Sequence, residues 1–258
     1  NKRMYDVVCV LSQEGLEPNI SGNDALSMFS KITHHACLSD RFGFLNQFSP
    51  FVFSSVESMP TFDCKYTLEN LLLTRATDIH SIANAEDKTI NVMWSGGVDS
   101  TAVVLAFVVS EVPVNVVHTV SSIDEYPEFY EFIKTVPFVK MNQVTATTLA
   151  PVCASLAVNG LVVTGFPADQ LFGSIVNQAL AIPFDADWRR LITNDEAISQ
   201  IEAATEFYKL PIKTVSELTW FINFSCKWNI VTHALSSFYG LDCDNTINYF
   251  EPVEFQQW

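Results

Sequence analysis

The stretch "NVMWSGGVDSTAVVLAF", residues 91–107, runs a short apolar segment through two glycines into a continuous apolar one. A plain turn needs one glycine, and a helix cap needs one serine or aspartate. Ser95, Gly96, Gly97, Asp99 and Ser100 supply both twice over. The segment before them reads as a strand and the segment after as a helix, so the excess sits where a strand becomes a helix.

At that edge of a parallel sheet ligands bind, and a helix N-terminus offers unpaired N–H groups with a partial positive charge. Gly96 and Gly97 let the backbone curl so that the amides of residues 96–100, Val98 included, converge on one anion. Ser95 and Ser100 can add hydroxyl donors, and the stretch reads as a phosphate cradle. It lacks the lysine of the G-x-x-x-x-G-K-[ST] loop and the third glycine of a dinucleotide fingerprint. An aspartate in such a cradle repels its ligand unless a divalent cation sits between them, so Asp99 points to Mg²⁺. The plainer alternative, a buried helix capped by Asp99 or Ser100, accounts for one of the five residues.

Outward from this stretch, β-branched runs alternate with helical ones. Strands are expected at 90–94, 114–120, 137–141 and 161–165. Helices are expected at 100–110 (apolar all round, hence buried), 128–136 and 145–159, the last stopping at Gly160. Such alternation predicts an α/β fold, a parallel sheet with helices on both faces. Before it, residues 67–85 place Leu68, Leu71, Leu72, Arg75, Ile79 and Ile82 on one helical stripe. After it, 194–210 and 214–239 read as helices, giving a helical C-terminal part, and 42–55 reads as a hairpin.

The chain has 258 residues, 48% hydrophobic and 17% charged, with 20 phenylalanines and a formal net charge of −15. Only 14 lysines and arginines are present, which argues against a nucleic-acid face. The six cysteines show no zinc or C-x-x-C spacing and read as free thiols. No stretch has the length of a membrane span and none reads as a signal peptide, so the expectation is a cytoplasmic protein without a membrane partner. His34, His35 and His80 have no neighbour at metal-ligand spacing.

"SGGVDS", residues 95–100, between a strand and a helix, resembles the signature of the PP-loop ATP pyrophosphatases. That resemblance implies cleavage of ATP between its α and β phosphates, with the loop holding pyrophosphate, and adenylation of a second substrate. "VVTGFPADQLFGS", residues 162–174, is similar to the SG-x-G-x-DE-x-FGG segment of the asparagine synthetase branch. Thr164, Gly165, Asp169, Leu171, Phe172 and Gly173 match. By this resemblance Asp169 joins Asp99 in holding Mg²⁺, with an N-cap of the next helix as its alternative, and Gly165 borders the nucleotide. Pro167 and Gln170 replace a glycine and a glutamate, and Phe166 stands where the synthetases carry a second glutamate that handles the proton of incoming ammonia.

"ELTWFINFSCKWN" (217–229) and "YFEPVEFQQW" (249–258) resemble the helical end of the same branch. Lys227 is then the candidate cation for the α-phosphate, with a lysine snorkelling beside Trp220 and Trp228 as its alternative. Residues 118–129 occupy the place where such folds contact adenine and ribose. Backbone groups from Val117 to Val120 would read the base, and Ser122 and Glu125 would meet the ribose or second substrate, with a solvated acid on a loop as the alternative.

The full synthetases carry a glutaminase half whose nucleophile is an N-terminal cysteine; with Asn1 first and Cys9 internal, no glutamine hydrolysis is expected. The expected organisation is an extension over 1–66 and a synthetase-like domain over 67–258. The expected chemistry is Mg²⁺ and ATP with an unidentified carboxylate and amine, giving an amide, AMP and pyrophosphate. A protein partner or homo-oligomer is compatible with the phenylalanine-rich composition. Two other readings are a non-catalytic descendant that keeps the pocket for binding, and a relative that modifies a nucleobase or RNA.

Overall fold

The computed structural model describes residues 64–145, 150–172, 183, 185–191, 195–207, 209–221 and 245–258. The predicted hairpin at 42–55, most of the 1–66 extension and Lys227 lie outside them. In chain order the elements are α1 (Leu68–Ala85), β1 (Thr89–Met93), α2 (Val98–Val109), β2 (Val114–His118), α3 (Val120–Glu125) and α4 (Pro127–Ile133). There follow β3 (Val139–Gln143), α5 (Ala150–Ala157), β4 (Gly160–Thr164), α6 (Ala168–Phe172) and a 3₁₀ turn at Trp188–Leu191. The chain closes with α7 (Asp195–Phe207), α8 (Val215–Phe221), β5 (Thr246–Asn248) and α9 (Val253–Gln257). Two compact units result, one from the described residues up to Asp169 with those from 245 onward, the other from the described residues between 170 and 221.

The first unit is built on a five-stranded, all-parallel sheet in the order β3-β2-β1-β4-β5. Its central strands β1, β2 and β4 are buried along most of their length because both faces are covered. On one face α5 brings Cys153 and Ala157 onto Met93, Val117 and Val162. On the other, Ile90, Val92, Val114, Val116, Leu161 and Val163 are equally buried. The chain leaves β1 toward β2 and β3, then returns to place β4 on the opposite side of β1. The β1–β4 boundary is therefore the topological switch point, where the outgoing loops of neighbouring strands part and leave a crevice.

Several local expectations are corrected. Helix α2 is not buried all round, since Leu105 and Val109 are 38% and 63% exposed. With no polar face, its sequence gave no sign of which side met solvent. Gly160 does not end a helix: α5 ends at Ala157 and Gly160 opens β4. A Cβ there would fall 2.6 Å from Asn91 Nδ2 and 2.9 Å from Thr89 Oγ1, so the glycine lets β4 pair closely with β1. The buried face of α1 is Leu71, Ala76, Ile79 and Ala83, turned from the predicted leucine stripe toward its alanines. Those small side chains allow close packing of α1 on α2. β3 begins two residues later than expected, the helix expected from 145 is described from Ala150, and α3 occupies part of a stretch read as loop.

In the second unit, Trp188 is buried and donates its indole N–H to the Ile212 carbonyl (3.2 Å). Glu217 accepts from the amides of Lys213 and Thr214, and Thr214 Oγ1 accepts from the Glu217 amide, a reciprocal cap at the start of α8. Among the described residues no helix is long and apolar enough to cross a membrane.

Trp94, the first residue after β1, ties the sheet to α2. It is fully buried, its amide donates to Val117 O (2.9 Å), and its indole N–H donates to Thr101 Oγ1 (2.9 Å). Its ring meets His118 and Phe129 at centroid distances of 6.1 and 5.4 Å. Trp94→Phe leaves a void and an unpartnered buried hydroxyl, and a loss of about 2–3 kcal/mol is expected in urea unfolding. A midpoint unchanged from the parent would refute this role for the indole.

Candidate functional site

The crevice at the C-terminal ends of β1 and β4 is framed by residues 95–100 on one side and 165–169 on the other. Gly96 has φ +97°, in the left-handed region, and a Cβ on it would lie 2.6 Å from Ser122 O and 2.7 Å from Glu125 Cβ. Two independent constraints thus require glycine at this position, its backbone conformation and the close passage of α3. The plainer helix-cap reading is answered directly: Gly97 is the N-cap of α2, it makes no side-chain cap bond, and neither Asp99 nor Ser100 stands at that position. No side chain caps the amides that open α2.

The two serines do something the sequence did not reveal. Ser100 Oγ is 3.1 Å from Gly97 O, to which it donates, and accepts from the Ser95 amide at 3.1 Å. Ser95 Oγ lies 3.0 Å from Ser100 Oγ and accepts from the Gly97 amide at 3.3 Å. One hydroxyl has one proton. With Ser100 donating to Gly97 and Ser95 to Ser100, both protons are spent inside the loop. The serines brace the curl, and donation to an external anion falls to the backbone amides at the start of α2.

Gly165 has a packing role. A Cβ there would fall 2.9 Å from Ser100 N and 3.1 Å from Asp99 C, so the β4–α6 loop lies against the first turn of α2. That contact brings Asp169 toward Asp99. Asp169 stands in the first turn of α6, one residue inside it, so it is not the helix cap its position in sequence allowed. The Asp99 carboxyl is held above the usual carboxylate range, first by desolvation on burial and then by the charge of Asp169. A divalent cation between the two carboxylates would relieve the repulsion that Asp169 exerts on Asp99.

Among the described residues no cluster of three or more metal-ligating side chains occurs. The pair fits Mg²⁺ in its usual mode, held by one or two carboxylates and completed by phosphate oxygens and water.

Other candidates fall differently. Val117 is fully buried and its carbonyl accepts the Trp94 amide, while Val120, just past the strand, is exposed. Ser122 is buried in a reciprocal cap with Thr119 at the start of α3, which gives it a structural role. Glu125 lies over the glycine loop, with Oε1 3.5 Å from where a Cβ on Gly97 would stand. Burial keeps the His118 imidazole below its ordinary pKa, and the ring packs on Trp94 and Tyr130.

Sequence reasoning missed the far side of the crevice. Thr164 Oγ1 donates to Asn248 Oδ1 (3.0 Å), and Asn248 Nδ2 donates to Glu251 Oε2 (3.2 Å). The Tyr249 amide donates to Thr164 O (3.0 Å), so the turn after β5 pins the base of the loop that carries Asp169. A three-residue strand leaves no periodicity by which it could have been found.

Two outcomes are expected. The raised acid at Asp99 lowers stability as pH rises from its ordinary value of 3.8 through its folded-state value, because the unfolded chain releases that proton first. Asp99→Asn should therefore raise Tm at pH 7, with the difference closing as the pH approaches 4. A lower Tm for Asp99→Asn at neutral pH would contradict the electrostatic account. Gly96→Ala should cost about 1–3 kcal/mol in denaturant unfolding, from strain at positive φ and the contact with Ser122. A neutral Gly96→Ala would mean the loop relaxes freely.

Comparison of the chain with models of known protein families and with curated protein sequences finds no match.

Proposed function

We propose that this protein is an adenylating ligase of the PP-loop type, acting at the β1–β4 crevice on ATP and a carboxylate. One observation carries the reading most of the way: the SGGVDS loop and the Asp169 loop, distant in sequence, are packed against each other at the switch point with their two acids in electrostatic contact. A chain of net charge −15 gains nothing in stability from that arrangement. It makes sense for binding a phosphate chain together with its cation.

In this reading the amides of Val98, Asp99 and Ser100 hold the β and γ phosphates at the positive end of α2. Asp99 and Asp169 hold Mg²⁺, which neutralises charge on the phosphates. The substrate carboxylate attacks the α-phosphorus, pyrophosphate leaves into the loop, and an amine then displaces AMP to give the amide. Gly96 keeps the loop curled and the Ser95–Ser100 pair keeps it rigid, so the amides are pre-aligned for the leaving group. Lys227 is the proposed cation for charge on the α-phosphate during attack. With Phe166 in place of the branch's proton-handling glutamate, the amine must arrive with another base or as a better nucleophile than ammonia.

Engagement of both serine protons inside the loop favours a second reading, a nucleotide-binding module without turnover, in which a partner reads the bound state. Formation of AMP and pyrophosphate from ATP and Mg²⁺, with and without a mixture of amino acids, separates the two. The ligase reading expects AMP release dependent on an added carboxylate and lowered at least about 100-fold in Asp99→Asn. Tight ATP binding with no AMP under any carboxylate supports the binding module, and absence of ATP binding overturns both.

A further inference from the structure

The opposite edge of the sheet carries a feature that the apolar strands do not explain. Asn91 of β1 pairs in register with Asn115 of β2, and Asn115 with Lys140 of β3, so a polar row crosses three neighbouring strands. Lateral neighbours in a parallel sheet share a face, here the face that carries Met93, Val117 and Val162. Asparagine is depleted in strands, and a buried amide costs stability unless fully bonded. Asn91 meets that condition: it is buried, donates to Leu161 O (3.3 Å) and accepts from Asn115 Nδ2 (3.2 Å). The Asn115 carbonyl oxygen is left over as an acceptor.

Asn115 and Lys140 line a cavity of about 240 Å³ at the strands' N-terminal ends, with His80, Asn84 and Lys88 also in its wall. Thr89 also lines it, and the rest of its wall, including Ile90, Pro113, Val114 and Phe138, is apolar. Lys88 donates to Glu86 Oε2 (2.6 Å) and to Asn245 Oδ1, so one of its three ammonium protons remains, and its charge is balanced by Glu86. Asn84 Nδ2 donates to His80 Nε2 (3.1 Å), which leaves the His80 proton on Nδ1. Lys140 is exposed and has no bonding partner among the described residues, so it contributes the uncompensated positive charge.

We propose that this cavity binds a small organic monocarboxylate with a flat apolar body, and that it is a site separate from the β1–β4 crevice. Lys140, the third proton of Lys88 and His80 Nδ1–H supply donors for the carboxylate. The apolar wall takes the body, and the volume, small for a ligand pocket, admits a single ring. In a chain of net charge −15 an anion reaches such a place only if built-in donors attract it. The assignment does not rest on the reading of the opposite edge.

Calorimetric titration of the full chain with benzoate, with its uncharged isostere benzamide, and with inorganic phosphate tests it. Benzoate is expected to bind saturably and at least about ten-fold more tightly than benzamide or phosphate, the difference one charge-assisted hydrogen bond makes. Lys140→Gln should weaken benzoate by about the same factor, Lys140→Arg should restore it, and Lys134→Gln, which is not among the lining residues, should leave it unchanged. The proposal is overturned if benzoate does not bind at millimolar concentration, if benzamide or phosphate binds as well, or if Lys140→Gln has no effect. Circular dichroism of Lys140→Gln establishes that any loss is not unfolding.

Discussion

Burial of Trp94 is the constraint on which the arrangement at the sheet edge depends. Its amide continues the β1–β2 pairing one residue past the strand, and its indole N–H reaches Thr101 in the second turn of α2. Between those anchors the chain has only Ser95, Gly96 and Gly97 in which to reverse from strand to helix. The turn must be tight, must pass under α3, and must leave the first amides of α2 uncapped. Positive φ at Gly96 and the paired serines follow from that geometry.

The same edge concentrates electrostatic cost. Asp99 is partly buried and faces Asp169, and both effects oppose its ionisation. The packing of Gly165 on α2 enforces the proximity, and the Thr164–Asn248–Glu251 bonds hold the Asp169 loop in place. Structures keep such unfavourable pairs where a ligand compensates them. In the function proposed above, a divalent cation with a phosphate chain is that ligand. At the other edge the logic runs in reverse, since Lys140 brings an unbalanced positive charge beside the Asn91–Asn115 amide pair of β1 and β2.

Much of this architecture could be read in advance. Short β-branched runs alternating with helical ones indicated the parallel sheet, and four strands were located to within a residue or two. The double glycine marked the strand-to-helix turn and drew attention to Asp99, and the resemblance carried by residues 162–174 drew attention to Asp169. What escaped reading did so for physical reasons. α2 and α5 lack a polar face, so periodicity could not orient them. β5 has three residues, too few for alternation to register. Asn115 and Lys140 gain meaning only through the register that aligns β1, β2 and β3, and His80 only through the cavity it shares with them.

Sequence by itself determined the local conformations: where apolar runs become strands or helices, where glycine is needed, and which acids end up at strand ends. These are properties of neighbouring residues, and short-range sterics and periodicity govern them. Tertiary structure alone decided which neighbours those local pieces would meet. Strand order created the switch point, close packing of Gly165 on α2 coupled two acids 70 positions apart in the chain (169 − 99), and lateral register assembled the polar row. Such relations depend on the packing of elements remote in sequence, and no local pattern encodes them.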